Sequence, residues 1–185
     1  VEFFFQKLNR TGRIVVDSDY EVDMLDRVAR KLNVKAQVLL RVTPGVEAHT
    51  HEMVQVGKLD PKFGVPIEGG SAEQLIIKII KKRGLALTGI HYHIGSQILE
   101  VEPFRVSISR AIEFIAAITN GLGVHVKELD IGGGYPVRYT TKQKLPSPDR
   151  FAASICSNLK KEAKNAGMPL PHLYLEPGRS VAGPA

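Results

Sequence analysis

The sequence predicts an α/β fold, a partial (β/α)8 barrel, on three observations. Strand-like and helix-like runs alternate along the chain, the pattern of right-handed βαβ units around a parallel sheet. Site-like residues stand at the C-terminal ends of at least four strand-like runs: Arg41, His93, Gly132 to Gly134, and Glu176. A barrel presents its catalytic face in that way, whereas an open doubly wound sheet concentrates its site at one crevice. The 185 residues form a single domain that falls short of the roughly 250 residues of a complete barrel.

The elements follow in order. Ile14 to Asp17 is the first strand, and Ser18 or Asp19 caps a helix through about Leu32. Val38 to Val42 is the second strand. A long loop follows, broken by Pro44, Gly45, Pro61, Gly64, Pro66 and Gly69-Gly70. Ser71 precedes a helix over Ala72 to Arg83, with Leu75, Ile76, Ile79 and Ile80 at helical spacing and Gly84 as its stop. Leu87 to Ile94 is the third strand. Pro103 sits in the first turn of a helix reaching Leu122, with Ile108, Ile112, Ile115 and Ile118 on one face. Glu128 to Ile131 is the fourth strand, Phe151 to Ala166 a helix, and Leu173 to Glu176 the fifth strand.

Composition narrows the class. The chain is 43% hydrophobic and 24% charged, ordinary for a globular protein. Its net charge of +6 is spread over Lys78 to Arg83 and Lys160 to Lys164. Without interleaved aromatics these runs read as solvated helix faces and not as a nucleic-acid groove. The one cysteine, Cys156, excludes an internal disulfide and fits a reducing, cytoplasmic compartment. No apolar run approaches the roughly 20 residues of a membrane span, and Phe3-Phe4-Phe5 is too short for a secretory signal. A chain that begins at Val1 reads as a fragment or processed product.

Three motifs can carry chemistry. In Leu129-Asp130-Ile131-Gly132-Gly133-Gly134-Tyr135-Pro136 a strand opens into a glycine loop, whose successive N–H groups suit a phosphate. In His91-Tyr92-His93-Ile94-Gly95-Ser96-Gln97, alternation puts His91 and His93 on one side of a strand. That pair suits a divalent metal, a packed core, or one imidazole stacked on a planar cofactor beside Ser96. For a metal, only Glu176 is a good further ligand, since Asp130 lies within its strand. His49-Thr50-His51-Glu52 also has ligand spacing, in a loop where solvated histidines are the commoner case. In Glu176-Pro177-Gly178-Arg179 the two charges can pair with each other. Alternatively, the arginine meets a phosphate or carboxylate and the glutamate keeps a ring nitrogen protonated.

Taken together, HIGSQ (93–97), DIGGGYP (130–136) and EPGR (176–179) resemble the pyridoxal-phosphate-dependent amino-acid decarboxylases with an alanine-racemase-like barrel. VVDSDYEVDML (15–25) and GKLDPKFGV (57–65) are similar to the diaminopimelate-decarboxylating branch, so the resemblance covers nearly the whole chain. It implies the PLP-binding type of TIM barrel, about strands 4 to 8, with pyridoxal 5'-phosphate as cofactor and no metal. His93 then stacks on the pyridine ring, and Ser96, Gly133 and Gly134 hold the phosphate. Glu176 meets the ring nitrogen. Arg179, reached through Pro177 and Gly178, lies by the phosphate and the substrate's distal carboxylate, and Arg41 lies near the ring oxygen. His93 and Glu176 are the expected catalytic residues.

The implied reaction is decarboxylation of meso-diaminopimelate to lysine by a homodimeric parent enzyme. The family's Schiff-base lysine and its product-protonating cysteine have no counterpart here; Lys62 and Cys156 do not inherit those roles. The chain by itself is therefore expected to associate through unpaired strand edges and to lack decarboxylase activity. Other readings stay open: an ornithine, arginine or carboxynorspermidine decarboxylase, a non-catalytic cofactor-binding protein, or a metal-dependent barrel hydrolase.

Overall fold

The computed structural model describes residues 12–46, 63–139 and 143–183. His49, His51, Glu52, Lys62 and most of the GKLDPKFGV run lie outside the described residues. In chain order the elements are β1 (Ile14–Val16), α1 (Asp19–Lys31), β2 (Ala36–Thr43), β3 (Val65–Pro66), α2 (Ser71–Lys81) and β4 (Leu85–His91). Then come α3 (Glu102–Leu122), β5 (Glu128–Asp130), α4 (Pro148–Asn165), β6 (His172–Tyr174) and α5 (Gly178–Ala182). The strands form one parallel sheet in the order β1-β2-β4-β5-β6, with β3 paired to the end of β2. Strand follows helix follows strand across the sheet, as expected of consecutive barrel units.

Local chemistry explains most boundaries. Ser18 is the N-cap of α1: its Oγ accepts from the Glu21 N–H at 3.3 Å, while Glu21 reaches back to accept from the Asp17 N–H at 2.8 Å. α4 begins three residues ahead of the expected Phe151, because Ser147 caps it and Pro148 occupies its first turn. α3 ends where Gly123 turns left-handed at φ 65° and returns its N–H to the Thr119 carbonyl. Gly84 is not the stop of α2, which ends at Lys81. It is pressed against α1, where its N–H donates to buried Asp26 at 2.9 Å and a Cβ would strike the Asp26 backbone.

The outer face of the sheet and the inner faces of the helices make one apolar core. It includes Val38, Leu40 and Val42 of β2, Ile90 of β4, Leu129 of β5, and Ile108, Ile112, Ile115 and Ile118 of α3. Two aromatic contacts tie α3 to α4 and to the glycine loop: Phe104 stacks on Tyr135 at 5.1 Å and meets Phe151 edge-on at 5.8 Å. Among the described residues no helix is long and apolar enough to cross a membrane.

The opposite face carries the polar residues. Registers pair Leu39 with Gly89, Gly89 with Glu128, and Glu128 with His172. One step toward the C-terminal ends, they pair Arg41 with His91, His91 with Asp130, and Asp130 with Tyr174. Residues opposite one another in such a ladder share a face, so both rows look into the concave side. The register shifts between Val38/Leu39 and Leu87/Gly89, leaving Thr88 over. Leu87 therefore faces outward and His91 inward, although they have the same parity in sequence.

Below the upper row, Arg13 forms a two-pronged ion pair with Glu128, Nε to Oε2 at 2.7 Å and Nη2 to Oε1 at 2.5 Å. The hydrogen bond from Arg13 holds the Glu128 carboxyl below its ordinary value of 4.5, against the opposing effect of burial. A carboxylate with a depressed folded pKa contributes stability above its unfolded pKa and loses that contribution as pH falls through the folded one. Urea midpoints measured between about pH 6 and about pH 3 should therefore fall more steeply for the native chain than for Glu128→Gln. Parallel pH profiles for the two would show that the pair does not couple to folding.

Candidate functional site

Three loops leave the C-terminal ends of β4, β5 and β6, and they are bonded to one another. The Gly133 N–H donates to His93 Nδ1 at 3.1 Å. Gln97 and Val137 exchange two bonds: the Val137 N–H donates to Gln97 Oε1 at 3.1 Å, and Gln97 Nε2 donates to the Val137 carbonyl at 2.6 Å. The Ile98 N–H donates to the Gly134 carbonyl and the Glu176 N–H to the Gly132 carbonyl, each at 2.9 Å. These bonds bring HIGSQ, the glycine loop and EPGR into one constellation.

The glycines are required by this packing. A Cβ on Gly132 would lie 2.6 Å from the Tyr92 carbonyl oxygen. On Gly133 it would collide with the Glu176 carbonyl, and on Gly134 with that of Gly95. Gly132 and Gly134 also have φ of 67° and 98°, where side chains are disfavoured. The loop N–H groups are thus partly committed within the protein, that of Gly132 to Asp130 Oδ1 at 2.9 Å and that of Gly133 to His93.

Two strand boundaries differ from expectation. β4 ends at His91, so strand alternation does not continue to His93. His91 is buried at the inner face, while His93 lies exposed at the mouth. β6 ends at Tyr174, and Glu176 stands beyond the sheet on a turn closed by the Gly178 N–H bonding the Glu176 carbonyl at 2.8 Å. Single bonds to the neighbouring strand continue just past these ends: Tyr92 donates to the Asp130 carbonyl and Ile131 to that of Tyr174.

Glu176 and Arg179 form no ion pair between themselves among the described contacts. Arg179 Nη1 donates to the Tyr139 hydroxyl at 2.6 Å, and Glu176 Oε2 faces His91 Nε2 at 3.8 Å. Asp130, set aside in the sequence because it lies within a strand, is the last residue of β5 and joins them. One ligand atom each from His91, Asp130 and Glu176 lies within 4.8 Å of the others. Arg41 lies half-buried with its guanidinium 5.0 Å from the Phe63 ring centroid. Ser96, Pro177 and Gly178 are exposed at the same end of the sheet.

Electrostatics favour neutral imidazoles. Burial chiefly, with Arg41 adding to it, pushes His93 below its usual range. Burial likewise pushes His91 down, against the charges of Asp130 and Glu176. With Gly133 donating to Nδ1, the proton of neutral His93 resides on Nε2.

Residues 6–183 match the family described as pyridoxal-dependent decarboxylase, pyridoxal binding domain. The chain belongs to that family. The diaminopimelate decarboxylase of Bacillus methanolicus is 35% identical over 177 residues, covering 96% of this chain and 41% of the relative. The crystal structure of diaminopimelate decarboxylase from M. jannaschii superposes with a TM-score of 0.82 at 29% identity, over 91% of this chain and 38% of that one. The Helicobacter pylori enzyme complexed with L-lysine gives a TM-score of 0.78 at 27% identity, over 98% and 44%. The chain thus spans about two-fifths of the length of the curated relatives it matches.

In this pyridoxal-binding domain the structure brings together Arg41, His91, His93, Gly133, Gly134, Glu176 and Arg179, all singled out in the sequence, and draws in Asp130, Gln97 and Tyr139. Gln97 carried a faint signal, a long polar side chain directly after HIGS. Asp130 was legible only through register. Gly134→Ala should lower stability by about 1–3 kcal/mol through strain at positive φ and displacement of the Gly95 segment. Chemical denaturation of the two chains checks this; an unchanged midpoint would mean the loops are not packed as described.

Proposed function

We propose that this chain is the cofactor-binding barrel region of a diaminopimelate decarboxylase, which converts meso-diaminopimelate to lysine and carbon dioxide. The observation that carries the reading is the bonding of HIGSQ, the glycine loop and EPGR into one mouth at the strand ends. The identities to named diaminopimelate decarboxylases support the same substrate.

The residues fit pyridoxal 5'-phosphate. A carboxylate, Glu176, projects at the mouth where a cationic ring nitrogen needs an acceptor, and His93 offers a flat ring held in place by Gly133. Ser96, the open backbone around Gly134, and Arg179 match a phosphate at the rim. Side chains at residues 132–134 would push apart the loops that carry these groups.

Each residue then has a task. His93 stacks on the ring as a neutral imidazole and adds no positive charge beside a pyridinium. Glu176 holds the proton on the ring nitrogen. Ser96, Gly133 and Gly134 fix the phosphate end, and Pro177 with Gly178 sets the turn that separates Glu176 from Arg179. Arg179, a guanidinium on an exposed turn, meets the phosphate and the substrate's distal carboxylate. That second carboxylate distinguishes diaminopimelate from ornithine. Arg41 lies toward the ring oxygen. Bound, the cofactor supplies an electron sink for the pair left when the Cα–carboxylate bond breaks and carbon dioxide departs, after which a proton takes the carboxylate's place. His93 and the phosphate-end residues would hold the cofactor in one place, a positioning effect. The working form is a cytoplasmic homodimer.

Two measurements test the reading. The full-length gene should rescue growth of a lysine auxotroph lacking this decarboxylase. Conversion of ornithine or arginine in its place would assign it to another branch. In the full-length protein, Glu176→Gln should lower kcat on the order of 10²–10³-fold while the cofactor stays bound. Near-native turnover by that variant would refute the role given to Glu176.

A further inference from the structure

A bare carboxylate at the rim of a site does not by itself keep a ring nitrogen protonated. It has to be ionised and held in one place. Glu176 is about half exposed, at 54% for its side chain, and what surrounds it decides where it points. On β4 and β5 the last strand residues, His91 and Asp130, are laterally paired and both buried, at 4% and 7% exposure. Glu176 reaches over them from the turn after β6.

Gly132 connects the two carboxylates through the backbone. Its N–H donates to Asp130 Oδ1 and its carbonyl accepts from the Glu176 N–H, both at 2.9 Å. His91 connects them through its side chain. Its Nε2 faces Glu176 Oε2 at 3.8 Å, and one nitrogen of His91 and one carboxylate oxygen each of Asp130 and Glu176 lie within 4.8 Å of one another. The other ring nitrogen, Nδ1, is buried with no hydrogen-bond partner among the described residues. An imidazole with its proton on Nδ1 would leave a buried donor orphaned, whereas the Nε2–H tautomer orphans only an acceptor and directs its donor at the carboxylates.

We propose that His91 and Asp130 are positioning residues that hold the Glu176 carboxylate aimed at the ring nitrogen of the cofactor. This rests on the function proposed above. Two carboxylates this close resist sharing two negative charges, so one of them takes up a proton more readily. Burial, reinforced by the charge of Glu176, raises Asp130 against the pull of the Gly132 N–H and His91. The buried member, Asp130, therefore accommodates the proton. The groups facing His91 are Asp130 from β5, Glu176 after β6, Arg41 from β2 and His93 after β4. Burial chiefly, with Arg41 and His93 adding to it, opposes a second proton on the imidazole against the charges of Asp130 and Glu176, which leaves His91 a neutral donor.

The test uses the full-length protein reconstituted with pyridoxal phosphate carrying 15N in its ring, read by NMR across a pH series. Glu176→Gln should abolish the protonated-ring signal. If it does not, the assignment of Glu176 fails and this inference fails with it. Given that loss, His91→Phe should lower the apparent pKa of the bound ring nitrogen by about one unit, a tenfold change in its protonation equilibrium. His91→Gln, which keeps a donor near Nε2, should restore most of it. Asp130→Asn should stay near the native value, because a neutral side chain there still accepts from Gly132. A ring-nitrogen pKa unchanged in both His91 variants, with Glu176→Gln still abolishing protonation, would overturn the proposal and leave the role of Glu176 standing.

Discussion

In-register parallel pairing puts laterally adjacent residues on one face, and in this chain the pairing slips once, at Thr88. Everything at the mouth of the sheet depends on that slip. β4 starts with Leu85 and Leu87 turned toward the helices, where the core needs them. Strict alternation would then send His91 into the same core and Ile90 to the concave face. The unpaired Thr88 reverses the parity, anchored by its hydroxyl donating to the Val38 carbonyl at 3.3 Å and its own carbonyl accepting from the Lys127 N–H at 3.0 Å. The strand thereby packs at one end and carries chemistry at the other. Gly89, the next residue, has to be small: a Cβ there would collide with the Glu128 carbonyl and lie 2.7 Å from Glu128 Cβ and Leu39 Cδ2.

The glycine triplet has a different physical explanation from the one its sequence suggests. A run of glycines after a strand reads as a phosphate cradle, and the loop lies where one belongs. Yet the clashes that a Cβ would create are with the backbones of the neighbouring loops, at Tyr92, Gly95 and Glu176. The glycines let three chain segments come within backbone hydrogen-bonding distance of one another. His93 and Glu176 are held rigidly because the segments that carry them are bonded to this loop. Positioning of reactive side chains from three strands is thus achieved largely through main-chain contacts.

Much of this was legible from residue order. The alternation of apolar runs with Gly and Pro punctuation located five strands and four helices, and the polar residues at the strand ends marked the working face. The Ser147-Pro148 start of α4 was readable but lay in a stretch without apolar periodicity. Hidden were the features that exist only between segments. β3 is two residues defined by pairing with β2, and α5 is five residues, too short for any period. Asp130 looked like strand interior because its neighbours are apolar. Its significance comes from being the last residue of β5 in register with His91. Past the early ends of β4 and β6, the Tyr92 N–H still bonds the Asp130 carbonyl and the Glu176 N–H bonds the Gly132 carbonyl of the neighbouring loop.

The curvature of the sheet is also written in side chains. Arg13 immediately precedes β1 and Glu128 begins β5, with β2 and β4 between those strands. On a flat sheet those strands would be about 14 Å apart. Side chains that stand roughly perpendicular to such a sheet would not meet at their tips. Here they form a bidentate pair with Glu128 buried, so the sheet curls and the tips converge on the concave side. That curl also sets the spacing one layer up, where Arg41, His91 and Asp130 stand on the same strands. An ion pair in the lower layer thus acts on the geometry of the upper one. The linkage runs through strand angles, with no contact between Glu128 and Glu176 required.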